Sequence, residues 1–200
     1  MSASMREAES RYGSIREESY KLAEELFQPL FKDIAVTGIT YQTAAIADSW
    51  AYLPHDRFAI GWSWRDKLRL FRKRSRRVEV ALWSNGELFA LALGKVTEGR
   101  LHATIHYLQG SPDRAEALHG HVGKMVTDYL KIYATICECK NIVIDSPVPE
   151  LVDYYKSLGF VNEVRSARRV YRLWVPLRVD GDDSIGYPYG EISKISESSP

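Results

Sequence analysis

The stretch PVPELVDYYKSLGF, Pro147 to Phe160, decides how the rest of the chain is read. Pro149 and Glu150 suit the first turn of a helix, where a missing N–H costs nothing and an acid meets the positive end of the helix dipole. The helix runs from about Pro149 to Leu158 and stops hard at Leu158-Gly159-Phe160. Just before it, Asn141 to Ile144 (NIVI) is a short apolar run of the buried-strand type. Just after it, Phe160 to Val164 and Arg169 to Val175 (RVYRLWV) read as two more short strands.

Working upstream, Leu118, Val122, Met125, Val126, Tyr129, Tyr133 and Ile136 form one continuous helical face. Gly110-Ser111-Pro112-Asp113 opens the loop that leads to it. Before that loop come three strands: Val78–Trp83, Glu87–Val96 and Leu101–Leu108. Ser84-Asn85-Gly86 joins the first two, because Asn-Gly takes the positive φ of a tight hairpin. Thr97 to Arg100 turns into the third, and Gly94 marks a bulge or a close backbone approach. This is an antiparallel meander. Phe58 to about Arg74 reads as a helix carrying Trp64, Leu68 and Phe71 at i, i+4 and i+7. Pro54 breaks what precedes it, and Ile39 to Thr43 has the composition of a strand. Near the start, Tyr12, Ile15, Leu22, Leu26 and Leu30 predict an amphipathic helix that Pro29 bends or ends. Its apolar stripe packs either on its own sheet or on a partner, which would be a second copy of the chain. Residues 1 to about 10 are polar and expected to be loose.

The expected organisation is an N-terminal helical region (1–55), a mixed α/β domain (56–178) and a flexible acidic tail (179–200). The 200 residues, 45% hydrophobic and 26% charged, suit one globular domain. Cys137 and Cys139 are the only cysteines. On a helix, residues i and i+2 face different ways, which disfavours a disulfide. No histidine pairs with them at zinc-ligand spacing, so no metal is expected. Reduced thiols, no apolar run long enough to span a bilayer and no apolar leader segment point to a cytoplasmic protein with no membrane partner.

The element order resembles the Gcn5-related N-acetyltransferase superfamily from roughly Phe58 to Val175, and Tyr155-Lys156-Ser157-Leu158-Gly159-Phe160 is similar to its Tyr-x-x-x-Gly-Phe signature. The resemblance implies an α/β fold with a mixed, mostly antiparallel central sheet flanked by helices, and an N-acetyltransferase using acetyl-CoA as co-substrate. It implies that the acyl chain lies in a V-shaped gap between the fourth and fifth strands. There it meets Leu108, Gln109 and Gly110, with the pyrophosphate on the loop and helix start Leu118, His119, Gly120, His121, Val122, Gly123 and Lys124. Unpaired N–H groups and the positive dipole end suit an anion at such a position. With Gly120 as the first motif glycine, Ala117 stands where the family has Arg or Gln, and Val122 where it has a small residue.

Tyr155 maps onto the family residue that protonates the departing thiolate, and Tyr154 beside it competes for that role. For the general base, His106 leads, with His102 on the same strand face and Glu79 as alternatives. The acceptor is a primary amine on a small molecule, a peptide or a tRNA. Two other readings stand beside this one. One is a catalytically degenerate relative that binds or regulates. The other is a nucleic-acid-directed protein using Arg65 to Arg77, which holds eight basic residues and one acid.

Overall fold

The computed structural model describes residues 3–50, 62–113, 115, 118–166 and 169–177. The expected acidic tail, Pro54 and Ala117 lie outside them. Among the described residues, seven strands form one sheet. They are β1 (Ile34–Thr37), β2 (Arg77–Ser84), β3 (Glu87–Val96), β4 (His102–Gly110), β5 (Asn141–Asp145), β6 (Asn162–Ser166) and β7 (Arg169–Pro176). Their spatial order is β1-β2-β3-β4-β5-β7-β6. Every pairing is antiparallel except β4 with β5, which is parallel. The helices are α1 (Ala3–Phe27), α2 (Tyr41–Ser49), α3 (Trp64–Phe71), α4 (Val122–Ile136) and α5 (Val152–Ser157). The mixed, mostly antiparallel sheet flanked by helices is the architecture expected from the sequence.

Two apolar clusters cover the sheet. The larger draws on α1, α4 and α5, the smaller on α2 and α3. Trp64, Leu68 and Phe71 are all buried in the smaller one, as their spacing predicts. The hairpin at Asn85-Gly86 is also as predicted, with φ of 51° and 78° at the two central residues.

Three readings change. Ile39–Thr43 is not a strand. The first strand is Ile34–Thr37, and Thr40 starts α2 through a capping box, its hydroxyl accepting from Thr43 N–H. The first ten residues are helical from Ala3, so α1 begins earlier than composition implies. Its buried stripe is Tyr12, Arg16, Ser19, Tyr20, Ala23 and Phe27, while Leu30 lies beyond the helix end and is 67% exposed.

That stripe packs on the chain's own α4 and sheet. Tyr20 stacks on Tyr129 of α4 with centroids 5.9 Å apart. The pairing of β1 with β2 stops at Thr37 and Ala81, so the start of β2 presents an open edge. The Tyr129 and Tyr133 hydroxyls donate to the Glu79 and Arg77 carbonyls there, at 2.8 and 3.2 Å. A buried ion network closes the same edge. Arg16 reaches Glu9 at 2.7 Å and Glu79 at 3.6 Å, and Arg77 reaches Glu9 at 2.8 Å and Glu79 at 2.9 Å.

The chain leaves α4 at Cys137 and turns through Glu138 at φ 57°. Cys137 and Cys139 are free, and both are buried in the larger cluster. They therefore do not occupy different helix faces.

Candidate functional site

The site is built around a split in the sheet. β4 and β5 pair only from His102/Asn141 to Ile105/Ile144. Beyond that point β5 stays with β7, Asp145 opposite Arg172, while Tyr107 to Gly110 of β4 stay with β3. Among the described residues, the edge of β4 that faces β5 thus runs without a strand partner from His106 to Gly110.

A β-bulge sits at the mouth of the split. Leu93 pairs with Tyr107 but Gly94 pairs with Ile105, which leaves His106 as the extra residue on β4. A bulge breaks the alternation of faces. Ala103 and Ile105 feed the cluster under α1 and α4, whereas Tyr107 packs into the one under α2 and α3. Gly94 permits this geometry, because a Cβ there would lie 1.8 Å from the Thr104 carbonyl oxygen.

His106 lies against Phe71 and Tyr107, with centroids at 6.1 and 6.4 Å. Its Nδ1 is 3.1 Å from Asp145 Oδ2, across the split. Asp145 Oδ1 in turn accepts from Arg172 Nη2 at 3.1 Å and Nε at 3.3 Å. An Nδ1–H donated to Asp145 leaves the Nε2 lone pair as the basic site. That Nε2 is buried and has no hydrogen-bond partner among the described residues. Burial pushes the imidazole pKa down, against the raising effect of the Asp145 carboxylate, so the ring is held neutral.

The alternatives are placed elsewhere. His102 sits opposite Asn141 at the closed end of the β4/β5 pairing. Glu79 is consumed by Arg16 and Arg77 at the β2 edge.

On the α3 side, Trp62 and Phe71 meet Tyr107 edge-on at 5.3 and 6.0 Å, and Lys67 lies over the same ring at 4.6 Å. The Gln109 side chain accepts from Trp64 Nε1 at 2.5 Å, which ties α3 to β4. Leu108 packs partly buried against the larger cluster, and Gly110 pairs with Ala90.

At the start of α4, Leu118 and Val122 are core residues, while His119 and His121 are exposed. His121 packs edge-on to Phe31 at 5.3 Å, and Gly120 takes φ 79°. Lys124 Nζ is paired with Asp128 at 2.5 Å. The Tyr154 hydroxyl occupies this helix start. It accepts from Lys124 N–H at 3.0 Å and donates to the Gly120 carbonyl at 2.9 Å. Gly123 makes room for it, since a Cβ there would lie 2.5 Å from Tyr154 Cε1.

Tyr155 is 5% exposed and meets Phe160 edge-on at 6.2 Å. The motif that contains it closes α5. Phe160 N–H bonds the Tyr155 carbonyl at 3.2 Å, Gly159 N–H bonds the Lys156 carbonyl at 3.0 Å, and Gly159 has φ 97°. This is a Schellman motif with its apolar contact between Tyr155 and Phe160. Burial raises the Tyr155 hydroxyl to about 12, so it stays protonated at neutral pH.

The basic segment is largely bound to the protein itself. Arg65 pairs with Asp48, Arg69 with Asp66, Arg76 with Glu98, and Arg77 with Glu9 and Glu79. Arg72 and Arg74 cover Tyr41 and Phe71.

The same fold recurs in solved structures. The ribosomal-protein-S18-alanine N-acetyltransferase of Escherichia coli superposes with a TM-score of 0.56 at 17% identity, over 77% of this chain and 99% of that one. This chain has the Gcn5-related N-acetyltransferase fold. An acetyltransferase from Thermus thermophilus superposes at 0.55 with 13% identity, over 72% of this chain and 97% of that one. A chimeric spermidine N-acetyltransferase from Vibrio cholerae superposes at 0.54 with 14% identity, over 72% of this chain and 96% of that one. No family model matches the sequence, and no curated protein matches it.

Sequence reasoning named His106 but missed Asp145 and Arg172, which orient it. The signal was present in part, since Asp145 directly follows the NIVI strand. Their meeting depends on where β4 and β5 part, and that is a long-range property.

Proposed function

We propose that this protein is an acyl-CoA-dependent N-acyltransferase, most simply an acetyltransferase acting on a primary amine. The observation that carries the reading is the split at β4/β5 with His106 at its mouth, oriented by Asp145 and with Nε2 unpartnered.

The free β4 edge from His106 to Gly110 offers backbone groups to a pantetheine amide. The first turn of α4, Val122 to Lys124, offers N–H groups to the pyrophosphate. His106 Nε2 takes a proton from the ammonium form of the acceptor, which frees the nitrogen lone pair. The amine nitrogen then attacks the thioester carbon. The C–S bond breaks as the tetrahedral intermediate collapses, the sulfur takes a proton from the Tyr155 hydroxyl, and the second proton lost by the nitrogen restores that hydroxyl. The products are an N-acetyl amide and coenzyme A. The three structural neighbours are themselves acetyltransferases, two of them on a protein alanine and on spermidine, which supports an amine as the acceptor.

Tyr155→Phe tests the acid. The expected result is a loss of about 10²-fold or more in kcat with acetyl-CoA affinity unchanged by calorimetry. An unchanged kcat would remove Tyr155 from the mechanism.

A further inference from the structure

We infer that Tyr154 is an internal occupant of the anion site at the α4 N-terminus, and that acyl-CoA binds by displacing it. The inference rests on the acyl-CoA reading above and adds a residue that sets the affinity of that site.

The geometry is specific. A phosphate oxygen at a helix start accepts hydrogen bonds from first-turn N–H groups. The Tyr154 hydroxyl already accepts from one of them, Lys124 N–H, at 3.0 Å, and its proton goes to the Gly120 carbonyl at 2.9 Å. Its ring fills the space above Gly123, where even a methyl group would come within 2.5 Å of Cε1. The hydroxyl and a phosphate oxygen therefore compete for the same donor, and the ring and the phosphate for the same volume. The Tyr154 side chain comes from α5, the helix that also carries Tyr155, and the two rings touch edge-on at 5.7 Å. Displacing one ring therefore disturbs the contact of the other. Gly123 acts here as the seat for an aromatic ring, a different role from admitting a ligand to the backbone.

The experiment is calorimetric titration of acetyl-CoA into the full chain and its Tyr154→Phe and Tyr154→Ala variants, with melting temperatures measured on each. Removing the hydroxyl frees the Lys124 amide, so Tyr154→Phe is expected to bind acetyl-CoA about fivefold to tenfold tighter, the equivalent of one hydrogen bond. Tyr154→Ala, which also clears the volume, binds at least as tightly as Tyr154→Phe. Equal or weaker binding by a folded Tyr154→Phe overturns the inference and leaves the acyl-CoA reading standing. Absence of binding in all three proteins overturns both. In amide NMR spectra of the free protein, the Lys124 N–H is expected to shift in Tyr154→Phe. An unmoved Lys124 resonance shows that the contact does not form in solution and overturns the inference without bearing on the acyl-CoA reading.

Discussion

His106 owes its neighbours to one extra residue in β4. Alternation from Ile105 already turns its ring toward Phe71, and the bulge brings Tyr107 to the same side, so that both rings meet Phe71. The same residue then depends on Asp145 for its tautomer. Because burial depresses its pKa, the acid limb of kcat/KM is expected below the free imidazole value of about 6.5. Asp145 raises that pKa, so Asp145→Asn moves the limb to still lower pH. A limb that stays in place would detach His106 from the base role. Stability carries the same sign. A histidine with a depressed folded pKa contributes fully above about pH 6.5, and the contribution is lost as pH falls through the folded value. His106→Gln therefore flattens the decline of the urea midpoint on the acid side. The sequence made His106 a candidate through its strand and spacing. It held no sign of the orphaned Nε2, because that depends on which neighbours stop short of it. Tyr155 was legible for a different reason. Its motif is a local C-cap, written in six consecutive residues, and the Tyr155–Phe160 contact is part of that cap.

Elements were legible where their signals were short-range. The meander, the Asn85-Gly86 turn and the face of α4 depend on periods of two and 3.6 and on one dipeptide. Gly94 was flagged on the same grounds, and its structural role is severe. Gly94→Ala forces a Cβ onto the Thr104 carbonyl, a backbone atom that cannot step aside. A loss of several kcal/mol is expected in urea unfolding, at the upper end of single substitutions. A cost below ~1 kcal/mol would mean that the β3/β4 bulge is not formed as described. The start of α2 was misread because β-branched Thr40 and Thr43 have strand propensity. Here their hydroxyls serve a capping box, and local hydrogen bonding outweighs propensity. The stripe of α1 was legible in part: Tyr12, Ile15, Leu22 and Leu26 do pack on the core, but the buried face also includes Arg16 and Ser19, polar residues with partners supplied from other parts of the chain or from the preceding turn.

At the scale of the whole molecule, α1 is a layer packed on α4 and the sheet. It covers the open start of β2 and brings Glu9 to Arg77, 68 residues away, a pairing no local pattern could announce. Arg16 and Glu79 have side chains only 6% and 7% exposed. Removing one partner strands the other charges, so Glu79→Ala is expected to cost about 3–5 kcal/mol in unfolding free energy. It should leave the acid limb of kcat/KM where it was, since Glu79 lies two strands from His106, with β3 between them, and is already paired with Arg16 and Arg77. A moved limb with unchanged stability would restore Glu79 as a base. The same long-range pairing changes the meaning of Arg65 to Arg77. As sequence it is a run of free cations, while in the fold most of its side chains hold acids or aromatic rings of the protein itself.

The central claim is that acyl-CoA enters the β4/β5 split and seats its pyrophosphate on α4. Titrating acetyl-CoA into the ¹⁵N-labelled chain and following its backbone amides tests this most directly. The account predicts saturable shifts confined to Tyr107 to Gly110 on β4, to Gly120 to Lys124 at the start of α4, and to the ring-bearing turn of α5 at Tyr154 and Tyr155. A spectrum unchanged at millimolar acetyl-CoA, or shifts confined to surfaces away from the split, would contradict it.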